Sequence, residues 1–200
     1  MSGQSLTFEL SFENTMPLPP PGTSLYFIAL IPPPPLLDEA QALKEYFRDR
    51  YYSRASLNSP PHITLHMPFQ WKEAKEEKLI TALNTFSAGK NPFTISFNNF
   101  ACFAPRVIYI DVHPSEALHT LQRDLHRFFK MELNVFNAQY RDLPFHPHLT
   151  LAFRDLKKDQ FARAWQEFEQ RKFSGDFPIS KITLLKHDGK LWQRFRDFDF

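Results

Sequence analysis

The stretch FHPHLTLAF at residues 145–153 decides the fold, because PPHITLHMPF at residues 60–69 repeats its pattern. Each stretch contains His-apolar-Thr-apolar, is entered through a proline and is left through a phenylalanine. On an extended strand, successive side chains point to opposite faces. The histidine and the threonine of each motif therefore share one face, and the aliphatic residues beside them share the other. Each stretch predicts a strand that presents an imidazole and a hydroxyl to a cleft.

The composition predicts one globular unit without disulfides. The chain has 200 residues, of which 42% are hydrophobic, and this is enough to close a core. Its one cysteine, Cys102, cannot form an intrachain disulfide, which favours a reducing cytosol and a small buried thiol. The net charge of +2 argues against a strong nucleic-acid footprint, so any contact with RNA is expected to be short and local. No segment has the pattern of a membrane span or a signal peptide, so we expect a cytoplasmic monomer without a membrane partner.

The N-terminal segment is expected to be an extension of the fold. Residues 1–23 hold an alternating run at 6–12, which suits an added edge strand, and a proline-rich tract at 17–22. A proline tract suits neither a helix nor a central strand. We therefore predict a single bilobal domain over residues 24–200.

The two halves of this domain show the same order of elements. A nearly continuous apolar run at 25–31 predicts a strand covered on both faces. Each half then reads helix, motif strand, helix, strand, strand, so a duplicated α+β unit would set the two motif strands across one cleft. Helices are predicted to about Arg50, over 79–86, from Ser115 and from about Asp159, and further strands at 93–98, 107–112, 177–185 and 191–200, with a hairpin turn at 188–189.

The two motif histidines, His62 and His148, have the chemistry of an acid–base pair. Unperturbed histidine titrates near pH 6.5, so one ring can be neutral while the other is protonated. Opposed across a substrate, they can act as general base and general acid. The hydroxyls of Thr64 and Thr150 can donate to a tetrahedral anion, most naturally a phosphate. A phosphodiester with a neighbouring hydroxyl, or a 2',3'-cyclic phosphate, requires only these groups, so we expect no metal and no cofactor.

These residues resemble the two motifs that define the 2H phosphoesterase superfamily. The resemblance rests on HITL at 62–65 and HLTL at 148–151; the run YFIAL at 26–30 and the run ITLL at 182–185 with Trp192 are similar to its first and last core strands. It covers about residues 24–200. The nearest branch is the bacterial 2'-5' RNA ligase-like group, whose members include RNA 2',3'-cyclic phosphodiesterases.

The resemblance implies both a fold and an activity. The fold is a bilobal, pseudo-two-fold α+β structure in which two antiparallel sheets line a central cleft with helices outside. The activity is metal-independent hydrolysis of a 2',3'-cyclic phosphate, on an RNA 3' end or a small nucleotide, to a 2'-phosphate, or cleavage or joining of 2'-5' linkages. It also implies that His62 is the acid for the leaving oxygen and His148 the base for water, with the roles exchanged in the reverse reaction.

Aromatic and basic residues near the motifs are candidate substrate contacts. Phe69 and Trp71 follow the first motif and Phe153 follows the second, where a base could stack at the cleft mouth. In a chain with 22 phenylalanines, a place in the core is the more common alternative. Tyr109 and Arg106 lie on a strand expected to line the cleft. Candidate phosphate contacts are Arg106, Arg154 and Lys186, for which the alternative is a solvated surface charge.

Two further histidines, His66 and His146, stand next to the motifs. On regular strands they share the faces of the motif histidines, about 6.5–7 Å along the strand for His146 and His148. One alternative is that either of them supports the motif histidine next to it; we expect instead that each caps a strand end at the surface. A zinc site that combines His62 with His66 would require a helix, and the surrounding prolines argue against one.

Two other functions are compatible with these residues. A nucleotide-binding module would keep the same cleft and perform no turnover, and it would bind 2',3'-cyclic phosphates tightly without forming product. A structural α+β protein with incidental histidines would hold the two imidazoles far apart.

Overall fold

The computed structural model describes residues 19–135 and 144–200. Within them, eight strands and four α-helices follow one another along the chain, and every strand pair is antiparallel. The strands are β1 (Thr23–Leu30), β2 (Ile63–Lys72), β3 (Phe93–Phe103), β4 (Val107–Val112), β5 (His148–Ala152), β6 (Ser174–Ile179), β7 (Lys181–His187) and β8 (Trp192–Asp199). The helices are α1 (Leu36–Tyr51), α2 (Glu76–Ser87), α3 (Glu116–Phe128) and α4 (Lys158–Phe168).

The strands form one sheet in the order β6-β3-β4-β5-β2-β1-β7-β8. The two motif strands, β5 and β2, lie side by side at its centre and are joined through the pair Ile63 and Leu149. The predicted α+β class is confirmed. The two predicted sheets are the four-stranded halves of this single sheet, because the central pair connects them edge to edge.

All four helices pack on one face of the sheet. Alternate residues of β1, namely Tyr26, Ile28 and Leu30, enter a core that also contains buried residues from every helix. The other face of β1 carries Phe27 and Ala29, which form a second, smaller apolar cluster. The prediction that this strand is covered on both faces is therefore confirmed, and the motif side chains open onto the second face.

The helices begin and end close to their predicted positions. Ser115 caps α3, and its hydroxyl accepts a hydrogen bond from the backbone N–H of Leu118 at 3.3 Å. The predicted hairpin turn is present between β7 and β8, where Gly189 has a φ of +98°. In this turn the Asp188 carboxylate accepts hydrogen bonds from the backbone N–H groups of Lys190 and Leu191.

The single strand predicted over residues 177–185 is wrong. The chain makes two strands there, β6 and β7, which are separated by Ser180. β6 pairs with β3 in one half of the sheet, whereas β7 pairs with β1 and β8 in the other half. The core-facing residues are Phe177 and Ile179 in β6 but Ile182 and Leu184 in β7, so the alternation changes phase at residues 180–181, which a single regular strand does not allow.

The structure describes only part of the predicted N-terminal extension, residues 1–23. The run at 6–12 lies outside the described residues. The predicted extension also included Thr23, which instead begins β1. Gly22 forms the turn before it with a φ of +74°, and its carbonyl accepts a hydrogen bond from Glu73 N–H at 2.9 Å. In the part of the chain described, no helix combines the length and the apolar character needed to cross a bilayer.

Candidate active site

The two motifs are brought together by the central strand pair. Continued from the pair Ile63 and Leu149, the antiparallel register sets the histidine of each motif opposite the threonine of the other. The aliphatic residues of both motifs are buried in the core under the helices. The two imidazoles and the two hydroxyls therefore meet on the face that the helices leave open.

Each motif histidine is held by a carbonyl two residues before it. His62 Nδ1 lies 2.8 Å from the Pro60 carbonyl oxygen, and His148 Nδ1 lies 2.7 Å from the His146 carbonyl oxygen. A carbonyl can only accept, so Nδ1 carries the proton in both rings. The neutral tautomer then leaves the Nε2 lone pair free, which is the atom that a general base uses.

Burial disfavours the protonated, positively charged form of both imidazole rings. It lowers the pKa of His62 to about 3, with further lowering by the positive charges of Lys44 and of His148 when protonated. It also lowers the pKa of His148, although the bond to the His146 carbonyl and the negative charge of Asp111 act in the opposite direction. The two histidines lie on neighbouring strands, each next to a residue of the pair Ile63 and Leu149, so a structural protein with distant histidines is not supported.

The two motif threonines, Thr64 and Thr150, are partly exposed. Neither hydroxyl takes part in a hydrogen bond with any residue that the structure describes. Both donors are therefore available to an anion in the cleft, as the alternation of the motif strands predicts.

Rings that extend away from His62 form a first aromatic wall, which the sequence reasoning largely missed. The Phe27 ring lies 4.8 Å from the His62 ring and 4.7 Å from the Trp192 ring, and Trp192 lies 4.9 Å from His187. The sequence of β1 did indicate the position of Phe27, because alternation along the strand sets Phe27 on the face opposite Tyr26. Trp192 was noted only for its similarity to a family strand.

A second aromatic wall extends from His148. The Tyr109 ring lies 5.0 Å from the His148 ring and 4.6 Å from the Phe103 ring. Tyr109 Oη is 3.1 Å from His146 Nε2, which also lies 3.3 Å from Asp111 Oδ1. Tyr109 thus lies where the sequence placed it, beside the catalytic candidates, whereas Phe103 and Asp111 were not identified.

The other predicted substrate contacts lie in different surroundings. Phe69 is buried in the core, with its ring 5.4 Å from that of Phe129, so its predicted stacking role is wrong; alternation sets it on the face of Ile63. Phe153 follows β5 and has the Arg154 guanidinium 4.9 Å over its ring. Arg106 is exposed in the turn between β3 and β4.

Two more candidates point to the helix side of the sheet. Lys186 pairs with Glu76 at 2.7 Å and ties β7 to α2, so it is a structural ion pair and not a phosphate contact. The Trp71 indole donates a hydrogen bond to the Lys75 carbonyl at 2.8 Å. Neither residue contacts the motif histidines.

His66 does not cap a strand end at the surface, so that prediction is wrong. A bulge in β2 pairs Ala29 with Thr64 and Ile28 with His66, so that Leu65 and His66 both face the core. His66 is 1% exposed and lies 4.7 Å from the Phe129 ring. The extra residue of the bulge moves this imidazole from the cleft face to the core face. His146, by contrast, has about half of its side chain exposed.

Lys44 is a buried lysine near the start of the first motif that the sequence analysis did not identify. It is 1% exposed on the inner face of α1, and its Nζ donates a hydrogen bond to the Ser59 carbonyl at 2.7 Å, three residues before His62. Its position was readable from the spacing, since it recurs with Ala40 and Phe47 on the apolar side of the helix. Among the described residues, no group of three or more His, Cys, Asp or Glu side chains could hold a metal ion.

The comparisons with known proteins agree on one family. A sequence profile of the 2'-5' RNA ligase superfamily matches residues 32–191. A protein of Bacillus mycoides (strain KBAB4), named "Putative phosphoesterase", is 30% identical over 160 residues, which are 79% of this chain and 86% of the relative. A relative from Bacillus cereus (strain AH820) is similar to the same extent. The chain therefore belongs to the 2'-5' RNA ligase superfamily of 2H phosphoesterases.

Solved structures show the same fold at lower identity. TT0787 of Thermus thermophilus has a TM-score of 0.63 and 18% identity, over 88% of this chain and 97% of its own. Escherichia coli LigT, solved with 3'-AMP, has a TM-score of 0.63 and 18% identity, over 89% of this chain and 98% of its own. LigT has also been solved with NADP+ and with ATP.

Proposed function

We propose that this chain is a metal-independent phosphoesterase that hydrolyses the 2',3'-cyclic phosphate of an RNA 3' end or a small nucleotide to a 2'-phosphate, or cleaves or joins 2'-5' linkages. The observation that carries the proposal is the pair of backbone-anchored imidazoles on neighbouring strands, His62 and His148. In each ring Nδ1 faces the anchoring carbonyl and Nε2 is left free, and the strand register sets each histidine opposite the threonine of the other motif. This arrangement supplies two proton-transfer groups and two anion donors around one phosphate.

The chemistry requires two proton transfers. Water loses a proton to one imidazole as its oxygen attacks phosphorus, and the bond to the ribose 3'-oxygen breaks as the other imidazole protonates that oxygen. The product is a 2'-phosphomonoester. The hydroxyls of Thr64 and Thr150 donate to the non-bridging oxygens, whose negative charge they stabilise as the bonding at phosphorus changes.

The aromatic walls support a substrate that carries nucleobases. In the wall beside His62, Phe27 is buried and Trp192 is partly exposed; in the wall beside His148, Tyr109 is buried and Phe103 is partly exposed. Trp192 and Phe103 are therefore the two rings on which a base can stack. Base–aromatic stacking contributes about 1–3 kcal/mol per base and tolerates different bases. The structural neighbour LigT has been crystallised with the nucleotides 3'-AMP and ATP, which supports a nucleotide as the substrate of this chain.

Substitution of the two histidines tests the proposal. We expect His62→Ala and His148→Ala each to lower kcat about 10²–10⁴-fold while the protein stays folded, because each removes one proton-transfer group. Product analysis on nucleoside 2',3'-cyclic phosphates, 2'-5' dinucleotides and cyclic-phosphate-ended oligonucleotides, with and without a chelator, identifies the reaction. His113→Ala, an exposed histidine beyond β4, is the matched control.

Full activity in both histidine variants would contradict the proposal. Tight binding of the cyclic phosphates by the unaltered protein without any product would instead support a nucleotide-binding module.

The threonines give an independent test. We expect Thr64→Val and Thr150→Val each to lower kcat about 10²-fold, which is the loss typical of one oxyanion donor. Stability should hardly change, because neither hydroxyl has a partner among the described residues. Thr85→Val, on the exposed side of α2, is the control. A loss confined to stability, measured by denaturation, would place the hydroxyls outside the reaction.

A further inference from the structure

The strands of the two halves of the sheet differ in charge. The half formed by β6, β3, β4 and β5 has two acids in its strands, Asp111 and Asp176, and no lysine or arginine. At the far side of the other half, β7 and β8 contain four basic and two acidic residues, namely Lys181, Lys186, Arg194, Arg196, Asp197 and Asp199. An anionic chain that leaves the central strand pair is therefore attracted towards β7 and β8.

Arg194 is the basic residue of β8 that lies next to the first aromatic wall. It pairs with Leu185, which belongs to the apolar cluster of Phe27 on the cleft face. Directly paired residues of antiparallel strands share a face, so the guanidinium of Arg194 is on the cleft side. Arg196, by contrast, pairs with Leu184, which is part of the core under the helices.

Arg194 keeps hydrogen-bonding capacity for a ligand. Its Nη2 donates to Asp197 at 3.1 Å, and 45% of its side chain is exposed. Asp197 also accepts a hydrogen bond from Thr183 Oγ1 at 2.6 Å and pairs with Lys181 at 2.8 Å. Two cations thus share one carboxylate, so this part of the cleft face keeps a positive charge. A guanidinium has five N–H donors, and the contact with Asp197 uses only one side of the fork.

His187 supplies a second donor at the end of the same wall. Its Nδ1 accepts a hydrogen bond from the backbone N–H of Gly189 at 3.2 Å. Because that N–H can only donate, the proton of the neutral ring is on Nε2, which is the opposite tautomer to that of His62 and His148. The His187 ring packs 4.9 Å from Trp192, and its Nε2 has no hydrogen-bond partner in the part of the chain that the structure describes.

These groups follow one another outward from the motif histidines. The Phe27 ring separates His62 from Trp192, with centroid distances of 4.8 and 4.7 Å. Arg194 follows Trp192 by two residues on the same face, which is about 6.5–7 Å along the strand. The order is therefore a proton-transfer group, a stacking surface and a cationic donor. Along an RNA strand, the matching order is a terminal phosphate, a nucleoside and the next phosphate.

We propose that Arg194 and His187 form a second phosphate site, which binds the 5'-phosphate of the nucleotide whose 2',3'-cyclic phosphate reacts, while its base stacks on Trp192. This inference rests on the proposed function. The preferred substrate is then an RNA 3' end, in which the terminal nucleotide carries a phosphate on its 5' side, and not a nucleoside 2',3'-cyclic phosphate. The rest of the strand leaves the cleft over β7 and β8, because Asp111 and Asp176 repel it from the other half.

Two substrates that differ by one phosphate test this site: adenosine 2',3'-cyclic phosphate with and without a 5'-phosphate. We expect the 5'-phosphate to raise kcat/KM about 10–100-fold, which is the effect of charge-assisted hydrogen bonds to a phosphate. Arg194→Gln should lower kcat/KM at least tenfold more for the 5'-phosphorylated substrate than for the other, and Arg194→Lys should keep part of the preference. Arg196→Gln, on the opposite face of the same strand, is the matched control and should keep all of it.

Equal kcat/KM values for the two substrates would overturn the second site. So would a preference that Arg194→Gln leaves intact, or one that Arg106→Gln removes, since the phosphate would then lie at the turn between β3 and β4. Turnover of neither substrate would instead contradict the proposed function, and binding then tests the site alone. By calorimetry, the His148→Ala protein should bind the 5'-phosphorylated compound at least tenfold more tightly than the other, and the added change Arg194→Gln should abolish that difference. Equal affinities in the His148→Ala protein would refute the second site, whatever the reaction is.

Discussion

Lys44 is buried, its Nζ has a single hydrogen-bond partner among the residues that the structure describes, and this burial controls its charge. Desolvation lowers the pKa of Lys44 from 10.5 to about 7. An unfolded lysine keeps its proton up to about pH 10.5, so the folded state loses stability as the pH falls from that value towards 7. A residue that weakens the fold at neutral pH is consistent with a role in the site, because sites often retain such groups at a cost in stability.

We expect Lys44→Met to be more stable than the unaltered protein. One pKa unit corresponds to about 1.4 kcal/mol, and the loss of the hydrogen bond to the Ser59 carbonyl offsets part of the gain. The free energy of unfolding at pH 7 should therefore rise by about 2 kcal/mol, and the gain should shrink as the pH approaches 10. Urea denaturation at several pH values measures it. A variant that is destabilised equally at every pH would show that Lys44 is neutral or well compensated in the folded protein.

At the scale of elements, one carboxylate links the two motif segments. Asp155, shortly after β5, accepts hydrogen bonds from Ser53 Oγ at 2.8 Å and from the backbone N–H groups of Arg54 and Ala55 at 2.8 and 3.0 Å. These residues lead from α1 towards the segment that enters β2. Because β2 and β5 pair over a short length, the hydrogen bonds of Asp155 also help to hold the two motifs in their relative positions.

We expect Asp155→Asn to weaken both the fold and the reaction. An amide has one acceptor oxygen where the carboxylate has two, so at least one buried donor loses its partner, at a cost of about 1–3 kcal/mol. Because the segment that carries His62 then shifts relative to His148, kcat should fall more than KM rises. Denaturation and steady-state kinetics measure the two effects. The matched control is Asp159→Asn, an exposed carboxylate at the start of α4; equal effects in both variants would contradict the linking role.

At the scale of the whole molecule, buried histidines make the fold sensitive to acid. His66 and His126 lie behind β2 with ring centroids 4.8 Å apart, and His126 Nε2 is 3.0 Å from the Leu65 carbonyl oxygen. Burial lowers the pKa of His66 to about 4 and lowers that of His126. The core side of β2, behind the first motif, therefore contains two imidazoles, His66 and His126, that must stay neutral in the folded protein.

We expect the free energy of unfolding to fall as the pH decreases from 6.5 to 4. Unfolded histidines take up protons near pH 6.5, whereas His66 resists protonation in the folded state, so its stabilising contribution is complete above pH 6.5 and is lost towards pH 4. At pH 5 the loss should be about 2 kcal/mol for His66 alone. His66→Leu should show a shallower dependence on pH than the exposed control His113→Leu. Identical slopes in the two variants would mean that His66 is not the group that titrates.

Much of the fold and of the reactive groups follows from local periodicity. Alternation alone puts His62 and Thr64 on the open face, and helical spacing locates α1 to α4, because both signals depend only on neighbouring residues. Alternation, carried through consistently, would also have set Phe69 in the core and Phe27 in the cleft. The placement of Lys44 on the buried side of α1 was likewise present in its spacing.

Other features depend on contacts between residues that are distant in the chain. The bulge that turns His66 into the core exists only because β2 pairs with β1 in a shifted register. The division of residues 174–187 into β6 and β7 depends on which half of the sheet each strand joins. By itself, the sequence determined the two motifs and the faces they present. Only the tertiary structure decided that Asp111 lies beside His148 and that Lys44 reaches the segment before His62, because such proximity arises from packing and not from the order of residues along a strand.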